Sequence, residues 1–392
     1  MTRVLIVDDN TFVREHLHAL IAHEPGFTIV GEARNGREAV EAVLACSPDV
    51  VVMDVDMPVM DGIEATRLIM EQRPTPILIH TSSAISRQRN LPFEAIRSGA
   101  LDIIEKPALY PLGNRERRDF LARIAMLADI HVYRRPNRHS VAEQDAEREQ
   151  DAERELHPER ELHSERELHP VVEATEAADA PHTVSTTGVR QITQHSPQPG
   201  EAGAMPRLLA VAASTGGPRA LADLFRSLPP MVSFPIVLVQ HIGMSFVQNF
   251  AEWLQSLTSV QVRIAEDGES LQPNTCYISP GTHHLAMQAP FNILLDGGEA
   301  VHSCRPSADV LFRSVQRTIG AQAVGVLLTG IGQDGAEGLR CMRDAGSVTI
   351  AQNEESSVVF GMPRRAIEIN GATYTGDIDD IAGAVQRLFG IG

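Results

Sequence analysis

Acidic, hydroxyl and lysine side chains follow short apolar runs in the first third of the chain. Carboxylates that crowd together repel one another unless a cation neutralises them, and hard oxygen ligands with water favour Mg²⁺. A lysine and a hydroxyl opposite them can bind the oxygens of a phosphoryl group carried by one carboxylate. A phosphate-accepting acidic pocket is therefore predicted from Asp8 and Asp9 after RVLIV, Asp54 after DVVVM, Thr81 at the end of TPILIHT, and Lys106 after LDIIE.

A serine, a histidine and an aspartate follow three apolar runs nearer the other end. RLLAVAA leads to Ser214 and a Thr-Gly-Gly turn, PIVLVQ leads to His241, and AVGVLLTGIGQ leads to Asp334. Acyl transfer needs a nucleophile, a base for its proton, a carboxylate that orients the base, and backbone donors for the oxyanion. The three residues together predict a serine hydrolase.

Residue types alone leave alternatives open for this second site. His283, His284 and His302 are rival candidates for the base. The serine turn could instead bind phosphate, although it matches neither GxGxxG nor GxxxxGK[ST], and it also lacks the GxSxG elbow of common α/β hydrolases. Each residue taken singly is more often a helix cap, a core histidine or a turn residue, so only their joint placement favours catalysis.

Both sites need a scaffold that brings distant strand ends together. Continuous apolar runs alternate with helical patterns such as TFVREHLHALIAHE and SFVQNFAEWLQSL at both ends of the chain. This alternation predicts parallel sheets covered on both faces, and such sheets bind ligands beyond the carboxyl ends of their strands. We expect two doubly wound α/β domains, the first flavodoxin-like and the second Rossmann-like, with a helix from about residue 219 to 227 and added hairpins within residues 261–296.

The middle of the chain differs in composition from both ends. Three six-residue units, ERELHP, ERELHS and ERELHP, cover residues 153–170, and a stretch rich in small and polar residues follows. With few large apolar residues, this stretch cannot offset the entropy cost of ordering a fold. We predict a first domain over 1–125, a disordered linker over 126–205 and a second domain over 206–390. The repeat histidines could bind metal, but a charged tether is the simpler interpretation.

Charge and cysteine usage exclude several classes of protein. The 392 residues carry a formal net charge of -17, which argues against a basic nucleic-acid surface and against attraction to an anionic membrane. The four cysteines lie apart without a CxxC pair, a pattern of neither a disulfide framework nor a zinc site. The sequence contains no signal-peptide pattern and no apolar stretch of about 20 residues. We expect a cytoplasmic protein without membrane insertion or nucleic-acid binding.

The acidic residues, with DVDMPVMDG around Asp54, resemble the response-regulator receiver family over about residues 1–125. The resemblance implies that Asp54 accepts a phosphoryl group from a phosphohistidine of a partner histidine kinase. It implies that Asp8 and Asp9, with Asp54 and the backbone carbonyl of Asp56, hold Mg²⁺.

The same resemblance implies that Thr81 and Lys106 contact the phosphoryl group. Ile103 stands where receivers often carry an aromatic switch residue, so a rotating tyrosine at that position is not expected.

Seven segments follow one another in order over about residues 206–390: ASTGGP, QHIGMSF, AEDGE, YISPGTHH, CRPSADVLF, LLTGIGQDGAEG and AQNEESSVVFGMPRRAI. Together they resemble the catalytic domain of the chemotaxis protein-glutamate methylesterase (CheB) family. The resemblance implies Ser214 as nucleophile, His241 as general base and acid, and Asp334 as the carboxylate that orients the histidine. It implies hydrolysis of glutamate methyl esters and deamidation of glutamines on chemoreceptors, with no cofactor for this chemistry.

Four further residues are candidates at the edge of this site. The amides of Thr215, Gly216 and Ile331 are candidates for the oxyanion hole; the family often has methionine where Ile331 stands, and a backbone donor tolerates that exchange. Arg305 is a candidate for contacting an acidic receptor helix, with a structural ion pair as the open alternative.

The combination of a receiver and an esterase predicts that an unphosphorylated receiver covers the esterase, and that phosphorylation at Asp54 loosens the contact. A long linker would lower the effective concentration of one domain near the other and soften this inhibition. Two other functions stay open: a regulator that only binds receptors, and a hydrolase of a chemosensory system unrelated to motility.

Overall fold

A computed structural model describes residues 1–82, 91–107, 110, 112–130, 132 and 206–391. The predicted disordered linker lies outside the described residues apart from its first few positions. There the boundary at residue 125 was placed too early, since the helix Asn114–Ala128 continues past it. The reason is packing: Ile124 and Leu127 are both fully buried in the core of the first domain.

The first domain is a parallel sheet of five strands in the order β2-β1-β3-β4-β5. This order confirms the flavodoxin-like prediction. The strands are β1 (Thr2–Val7), β2 (Phe27–Ala33), β3 (Val50–Met53), β4 (Ile77–Thr81) and β5 (Asp102–Glu105). The described helices are α1 (Thr11–Ala22), α2 (Gly36–Cys46), α3 (Gly62–Gln72), α4 (Leu91–Ser98) and α5 (Asn114–Ala128).

Side-chain caps fix where the helices of this domain begin. Asn10, Asn35 and Asp61 each accept hydrogen bonds from amides of the first turn of α1, α2 and α3. Such caps satisfy N–H groups that the helix itself leaves unpaired. Because α3 starts at the Asp61 cap, its first turn lies beside the end of β3, where the predicted phosphoacceptor stands.

The second domain is built on seven parallel strands in the order β14-β13-β12-β6-β7-β9-β8. This confirms the doubly wound prediction. Its strands are β6 (Leu208–Ala213), β7 (Ile236–Gln240), β8 (Gln261–Ile264), β9 (Thr275–Ile278), β10 (His284–Gln288), β11 (Asn292–Asp296), β12 (Ala323–Leu327), β13 (Val348–Gln352) and β14 (Tyr374–Gly376). Its helices are α6 (Gly217–Ser227), α7 (Val247–Gln255), α8 (Ala308–Ile319), α9 (Ala336–Asp344), α10 (Met362–Glu368) and α11 (Ile378–Phe389).

Two local predictions for this domain need correction. Helix α6 begins at Gly217, earlier than residue 219, because Pro218 is well suited to the first turn of a helix. Within residues 261–296 only β10 and β11 form a hairpin, whereas β8 and β9 pair in parallel and extend the main sheet.

An apolar contact joins the two domains. Phe93 of α4 stacks on Trp253 of α7, with ring centroids 5.3 Å apart, and lies 5.6 Å from Phe250. All three side chains are almost fully buried, and they belong to a hydrophobic cluster with residues of both domains. Within the described ranges, no helix combines the length and apolar character that crossing a bilayer requires.

Candidate functional sites

The acidic pocket forms at the carboxyl ends of β1, β3 and β5. The Lys106 ammonium lies 2.6 Å from Asp54 Oδ2 and 2.7 Å from Asp8 Oδ2. One oxygen from each of Asp8, Asp9 and Asp54 lies within 4.8 Å of the other two. The parallel sheet has therefore brought four of the predicted side chains to one point, as strand-end placement requires.

Burial gives this pocket its electrostatic character. Asp8 is 1% exposed and Asp54 is 4% exposed. Burial raises the pKa of Asp54 to about 6, with Lys106 opposing the shift and the Asp8 charge adding to it. Burial likewise raises the pKa of Asp8. Crowded, desolvated carboxylates of this kind are a donor set that fits Mg²⁺, because a hard divalent cation would offset their repulsion.

Thr81 adds a buried hydroxyl to this pocket. The Thr81 side chain is 1% exposed, and its Oγ1 makes no hydrogen bond within the described part of the chain. A buried hydroxyl without a partner loses its hydration and gains nothing in return. Thr81, at the end of β4, thus fits the predicted contact with a phosphoryl group, whose oxygen would accept the hydrogen bond that the hydroxyl lacks.

Gly62 explains how the pocket stays compact. A side chain at this position would begin 2.1 Å from the carbonyl oxygen of Asp54, so only glycine allows α3 to approach the end of β3 this closely. Asp56 is exposed just beyond, and its metal-ligand role stays a prediction.

Tyr110 is a candidate aromatic switch residue that sequence reasoning missed. Ile103 is a core residue, as its apolar side chain requires. Tyr110 instead places an aromatic ring 5.9 Å from Phe12 and 5.0 Å from His16, and its buried hydroxyl has no described partner. Burial, with the charges of Asp8 and Asp54, raises its pKa. The available signal was an aromatic residue shortly after Lys106.

In the second domain, the structure pairs the predicted base with the predicted carboxylate. His241 Nε2 lies 2.9 Å from Asp334 Oδ2. Asp334 is 2% exposed and also accepts hydrogen bonds from the Ser307 hydroxyl at 2.6 Å and from the Ala308 amide at 2.7 Å. The start of α8 therefore fixes the carboxylate, since helix N-termini hold negative charge well.

The hydrogen bonds of this pair shift the pKa values of both His241 and Asp334. Burial acts against the charged imidazolium, but bonds to Asp334 and Cys304 outweigh it and raise the pKa of His241 to about 9. Burial also disfavours the charged form of Asp334, yet the bonds from His241, Ser307 and Ala308 prevail and lower its pKa. In its neutral form, His241 is therefore a proton acceptor whose orientation is fixed by Asp334.

Ser214 lies at the end of β6 but is not joined to His241 in this conformation. Its side chain is 5% exposed, and its hydroxyl makes no hydrogen bond to another described residue. His241 Nδ1 lies 3.9 Å from Cys304 Sγ instead. The structure thus brings the predicted base and carboxylate together, while Ser214 makes no hydrogen bond to His241 in the part of the chain that is described.

Gln240 links the backbones of the serine and histidine loops, and sequence reasoning missed it. Its Nε2 donates to the carbonyl oxygens of Ser214 at 2.8 Å and of His241 at 3.1 Å. The side chain is buried, and a Cβ at Gly217 would approach its Oε1 to 2.2 Å. The signal was present in the sequence, because a polar residue ends the apolar strand β7 directly before the histidine.

The rival histidines are engaged elsewhere. His284 is buried, with one ring nitrogen bound to the Ser307 amide and the other to the Glu299 carbonyl. His302 pairs with Asp309 at 3.0 Å. His283 is exposed beside the Thr282 hydroxyl. These contacts favour His241, which alone among the four candidates meets Asp334 through its Nε2 within the described ranges.

The proposed oxyanion donors lie around the serine turn. The amides of Thr215, Gly216 and Ile331 donate to no other described residue. Gly216 has a φ of 76°, and a side chain there would begin 2.4 Å from the Val358 Cβ, so the turn requires glycine. The oxyanion role of these amides stays a prediction.

Arg305 is exposed and makes no ion pair with a described residue. Its guanidinium contacts the carbonyl oxygens of Gly297 and Gly298 at 3.4 and 3.2 Å. The structural ion pair that the sequence left open is therefore not formed with any residue that the structure describes, and the receptor contact stays a prediction.

Two carboxylates of β5 connect the first domain to the loops of the second site. Asp102 Oδ2 accepts a hydrogen bond from the Thr215 hydroxyl at 3.0 Å and lies 2.5 Å from Arg123 Nη1. Glu105 Oε2 accepts a hydrogen bond from the Ser245 hydroxyl at 2.5 Å. One strand of the first domain thus contacts the turn that carries the serine and the loop that follows the histidine.

Comparison with known proteins decides the family. The family model described as CheB methylesterase matches residues 209–385, and the response regulator receiver domain model matches residues 4–110. The protein-glutamate methylesterase/protein-glutamine glutaminase 1 of Syntrophus aciditrophicus is 35% identical over 391 residues, covering 100% of this chain and 99% of that protein. The chain belongs to the CheB methylesterase family.

Two further comparisons give similar levels of identity. The protein-glutamate methylesterase/protein-glutamine glutaminase 4 of Geobacter metallireducens is 36% identical, covering 99% of both chains. The CheB methylesterase catalytic domain of Thermotoga maritima is 33% identical, with a TM-score of 0.45, covering 48% of this chain and 99% of that one.

Proposed function

We propose that this chain is a phosphorylation-activated esterase that hydrolyses glutamate methyl esters, and deamidates glutamines, on chemoreceptors in chemotaxis adaptation. The observation that carries the proposal is the His241–Asp334 pair at the strand edge where Ser214 follows β6. Full-length relatives named protein-glutamate methylesterase/protein-glutamine glutaminase support the substrate class.

The reaction needs an imidazole that is held at one ring nitrogen, so that the other ring nitrogen can accept a proton. Because His241 Nε2 is bound to Asp334, Nδ1 is the nitrogen that accepts the Ser214 proton as Oγ attacks the γ-carbonyl carbon of the ester. The imidazolium then gives this proton to the leaving methoxide, and methanol departs from the glutamyl-enzyme. Water attacks next, with Nδ1 again as base, and releases the carboxylate. With a glutamine substrate the leaving group is ammonia.

The contacts from β5 describe a restrained form of this enzyme. Cys304 occupies the neighbourhood of Nδ1, and Asp102 holds Thr215, the residue after the nucleophile. Ser214 must reach Nδ1 before it can be deprotonated, so release of the serine turn favours the reaction. We assign inhibition to the hydrogen bonds that Asp102 and Glu105 accept from the second domain.

Phosphorylation at Asp54 would act on these contacts through β5. Asp8, Asp9 and Asp54 would hold Mg²⁺, which offsets the negative charge of the carboxylates and of the phosphoryl oxygens. Lys106 and Thr81 would turn to the phosphoryl oxygens, away from the present Lys106–Asp54 pair. Glu105 precedes Lys106 and is the strand neighbour of Thr81, so the movement reaches the bond to Ser245.

The partners follow from this chemistry. A histidine kinase would supply the phosphoryl group, and methylated chemoreceptor helices would be the substrate, with Arg305 exposed for an acidic helix. A cytoplasmic location fits the unpaired cysteines.

Methanol release from a methylated receptor tests the catalytic assignment. With a small-molecule phosphodonor present, Ser214→Ala is expected to abolish turnover, whereas Ser270→Ala, at an exposed serine of the same domain, keeps it. Turnover retained by Ser214→Ala would overturn the nucleophile assignment.

A further inference from the structure

We propose that Cys304 Sγ and His241 Nδ1 form a binding site for a zinc ion, and that zinc bound there blocks the esterase. One donor atom from each of His241, Cys304 and Asp334 lies within 4.8 Å of the other two. Nothing in the proposed esterase reaction uses the thiol.

The two donors are spaced for one metal ion. Sγ and Nδ1 are 3.9 Å apart. A tetrahedral zinc ion with Zn–N of about 2.1 Å and Zn–S of about 2.3 Å separates its nitrogen and sulfur ligands by about 3.6 Å. Cys304 is half-buried, and its thiol also donates a hydrogen bond to the His302 carbonyl oxygen at 3.5 Å. A small rotation of the cysteine closes the difference.

Asp334 completes the arrangement from the far side of the ring. Both of its oxygens already accept hydrogen bonds, from Ser307, Ala308, Asp309 and His241. It is therefore an outer partner that fixes the tautomer and orientation of the histidine, as carboxylates do behind metal-bound imidazoles. Nδ1 then faces the thiol, and water fills the two remaining tetrahedral positions.

The donor types select the metal. A thiolate and an imidazole suit zinc, whereas the all-oxygen set of Asp8, Asp9 and Asp54 suits Mg²⁺. The neighbouring trio His302, Asp309 and Asp334 also has clustered donor atoms. The carboxylate oxygens of this trio already accept hydrogen bonds, including the one that Asp309 accepts from the Gly338 amide at 2.6 Å. The trio therefore offers no pair of donor atoms comparable to the thiol and the imidazole.

Zinc binding and ester hydrolysis exclude each other. Both need the lone pair of His241 Nδ1, which in the proposed reaction accepts the serine proton. This inhibitory consequence rests on the proposed function, but the binding of metal does not.

Cobalt(II) spectroscopy tests binding directly. The full chain is titrated with Co²⁺ in excess Mg²⁺, and a thiolate-to-cobalt charge-transfer band in the near ultraviolet reports a sulfur ligand. We expect the band in the wild type and in Cys341→Ser, whose cysteine is similarly half-buried, and its loss in Cys304→Ser. No band in the wild type, or a band that survives Cys304→Ser, overturns the site.

Competition with a chromophoric chelator then gives the zinc affinity. Outer partners alone are worth about 10- to 100-fold in metal affinity, so loss of the sulfur ligand should weaken zinc binding by at least about 100-fold. Equal zinc affinity of the wild type and Cys304→Ser would overturn the proposal.

Methanol release separates the site from the proposed function. Zinc should inhibit the phosphodonor-activated wild type, and a chelator should restore its activity. For each protein, the rate with zinc is compared with the rate in chelator. The same zinc concentrations should lower this ratio much less in Cys304→Ser. If cobalt binds through sulfur but bound zinc does not lower the activity, the metal site is supported and the role of His241 Nδ1 as the base is contradicted. Equal inhibition of both proteins would overturn the inhibitory role of Cys304.

Discussion

Asp102 of the first domain accepts a hydrogen bond from the hydroxyl of Thr215, the residue that follows the proposed nucleophile, at 3.0 Å. Both residues are buried, and Asp102 is also paired with Arg123 at 2.5 Å. A charged acceptor in a buried setting makes a strong hydrogen bond. The receiver therefore holds the serine turn directly, and weakening that hold should change esterase activity without any change in the esterase residues.

Replacing Asp102 with Asn tests this hold. The variant keeps the shape but loses the charge, and hydrogen bonds to charged groups contribute about 1.5–3 kcal/mol. We expect methanol release without phosphodonor to rise about 10-fold or more, since about 1.4 kcal/mol corresponds to tenfold in an equilibrium. Asp119→Asn, at an exposed position of α5, is the matched control. An unchanged basal rate in Asp102→Asn would contradict the restraint.

Thr81→Val separates stability from signalling. The Thr81 hydroxyl is buried and has no partner among the residues that the structure describes, so an isosteric apolar side chain should leave Tm unchanged or raise it. The same variant should lose much of the stimulation by phosphodonor, because the hydroxyl is expected to contact the phosphoryl group. Thermal unfolding and methanol release are measured on the same preparation. Lower Tm together with full stimulation would show that the hydroxyl is structural.

Gln240 is expected to act as a positioning residue. Gln240→Met keeps the volume but removes the hydrogen bonds to the Ser214 and His241 carbonyl oxygens. We expect kcat to fall about 10- to 100-fold, as misplacement of reacting groups by about 1 Å can cause, with little change in KM. Gln272→Met, at an exposed glutamine, provides the comparison. A rise in KM at constant kcat would instead indicate a role in binding substrate.

The pH dependence of kcat/KM should reflect the protonation of His241. The base must be neutral to accept the serine proton, and its pKa is raised to about 9, so most of it is protonated at neutral pH. In chelated buffer, kcat/KM should rise about tenfold per pH unit from neutral pH and level off near about pH 9. Spontaneous hydrolysis is subtracted with Ser214→Ala. A profile that is flat over this range would contradict the raised pKa.

Cys304→Ser should move that profile. The thiol contributes to the raised pKa of His241, so its loss should shift the rising limb of kcat/KM to lower pH. A limb that stays in place would show that the thiol does not contribute to the pKa of His241.

Strand-end reasoning located much of both sites from the sequence. The pairing of Lys106 with Asp54, and of His241 with Asp334, follows once apolar runs are recognised as parallel strands. The position of Ser214 at its strand end follows in the same way, but its separation from the base does not. We propose that the contacts between the two domains, which apolar periodicity does not encode, hold the serine turn in this position.

Three features depend on contacts that periodicity does not encode. The Asp102–Thr215 bond joins residues 113 positions apart on two different domains. The loop that carries Cys304 contains His302 and Ser303 at φ values of 50° and 63°, a left-handed backbone that side chains rarely adopt. The nitrogen that His241 turns to Asp334 is chosen by the start of α8, which fixes the carboxylate.

Control of the esterase by the receiver is measured as methanol release from methylated receptor with and without phosphodonor, in the wild type and in Asp54→Ala. We expect the phosphodonor to stimulate the wild type but not the variant, and both proteins to share the same low basal rate. Stimulation that survives Asp54→Ala, or no stimulation of the wild type, would contradict control of the esterase by phosphorylation of the receiver.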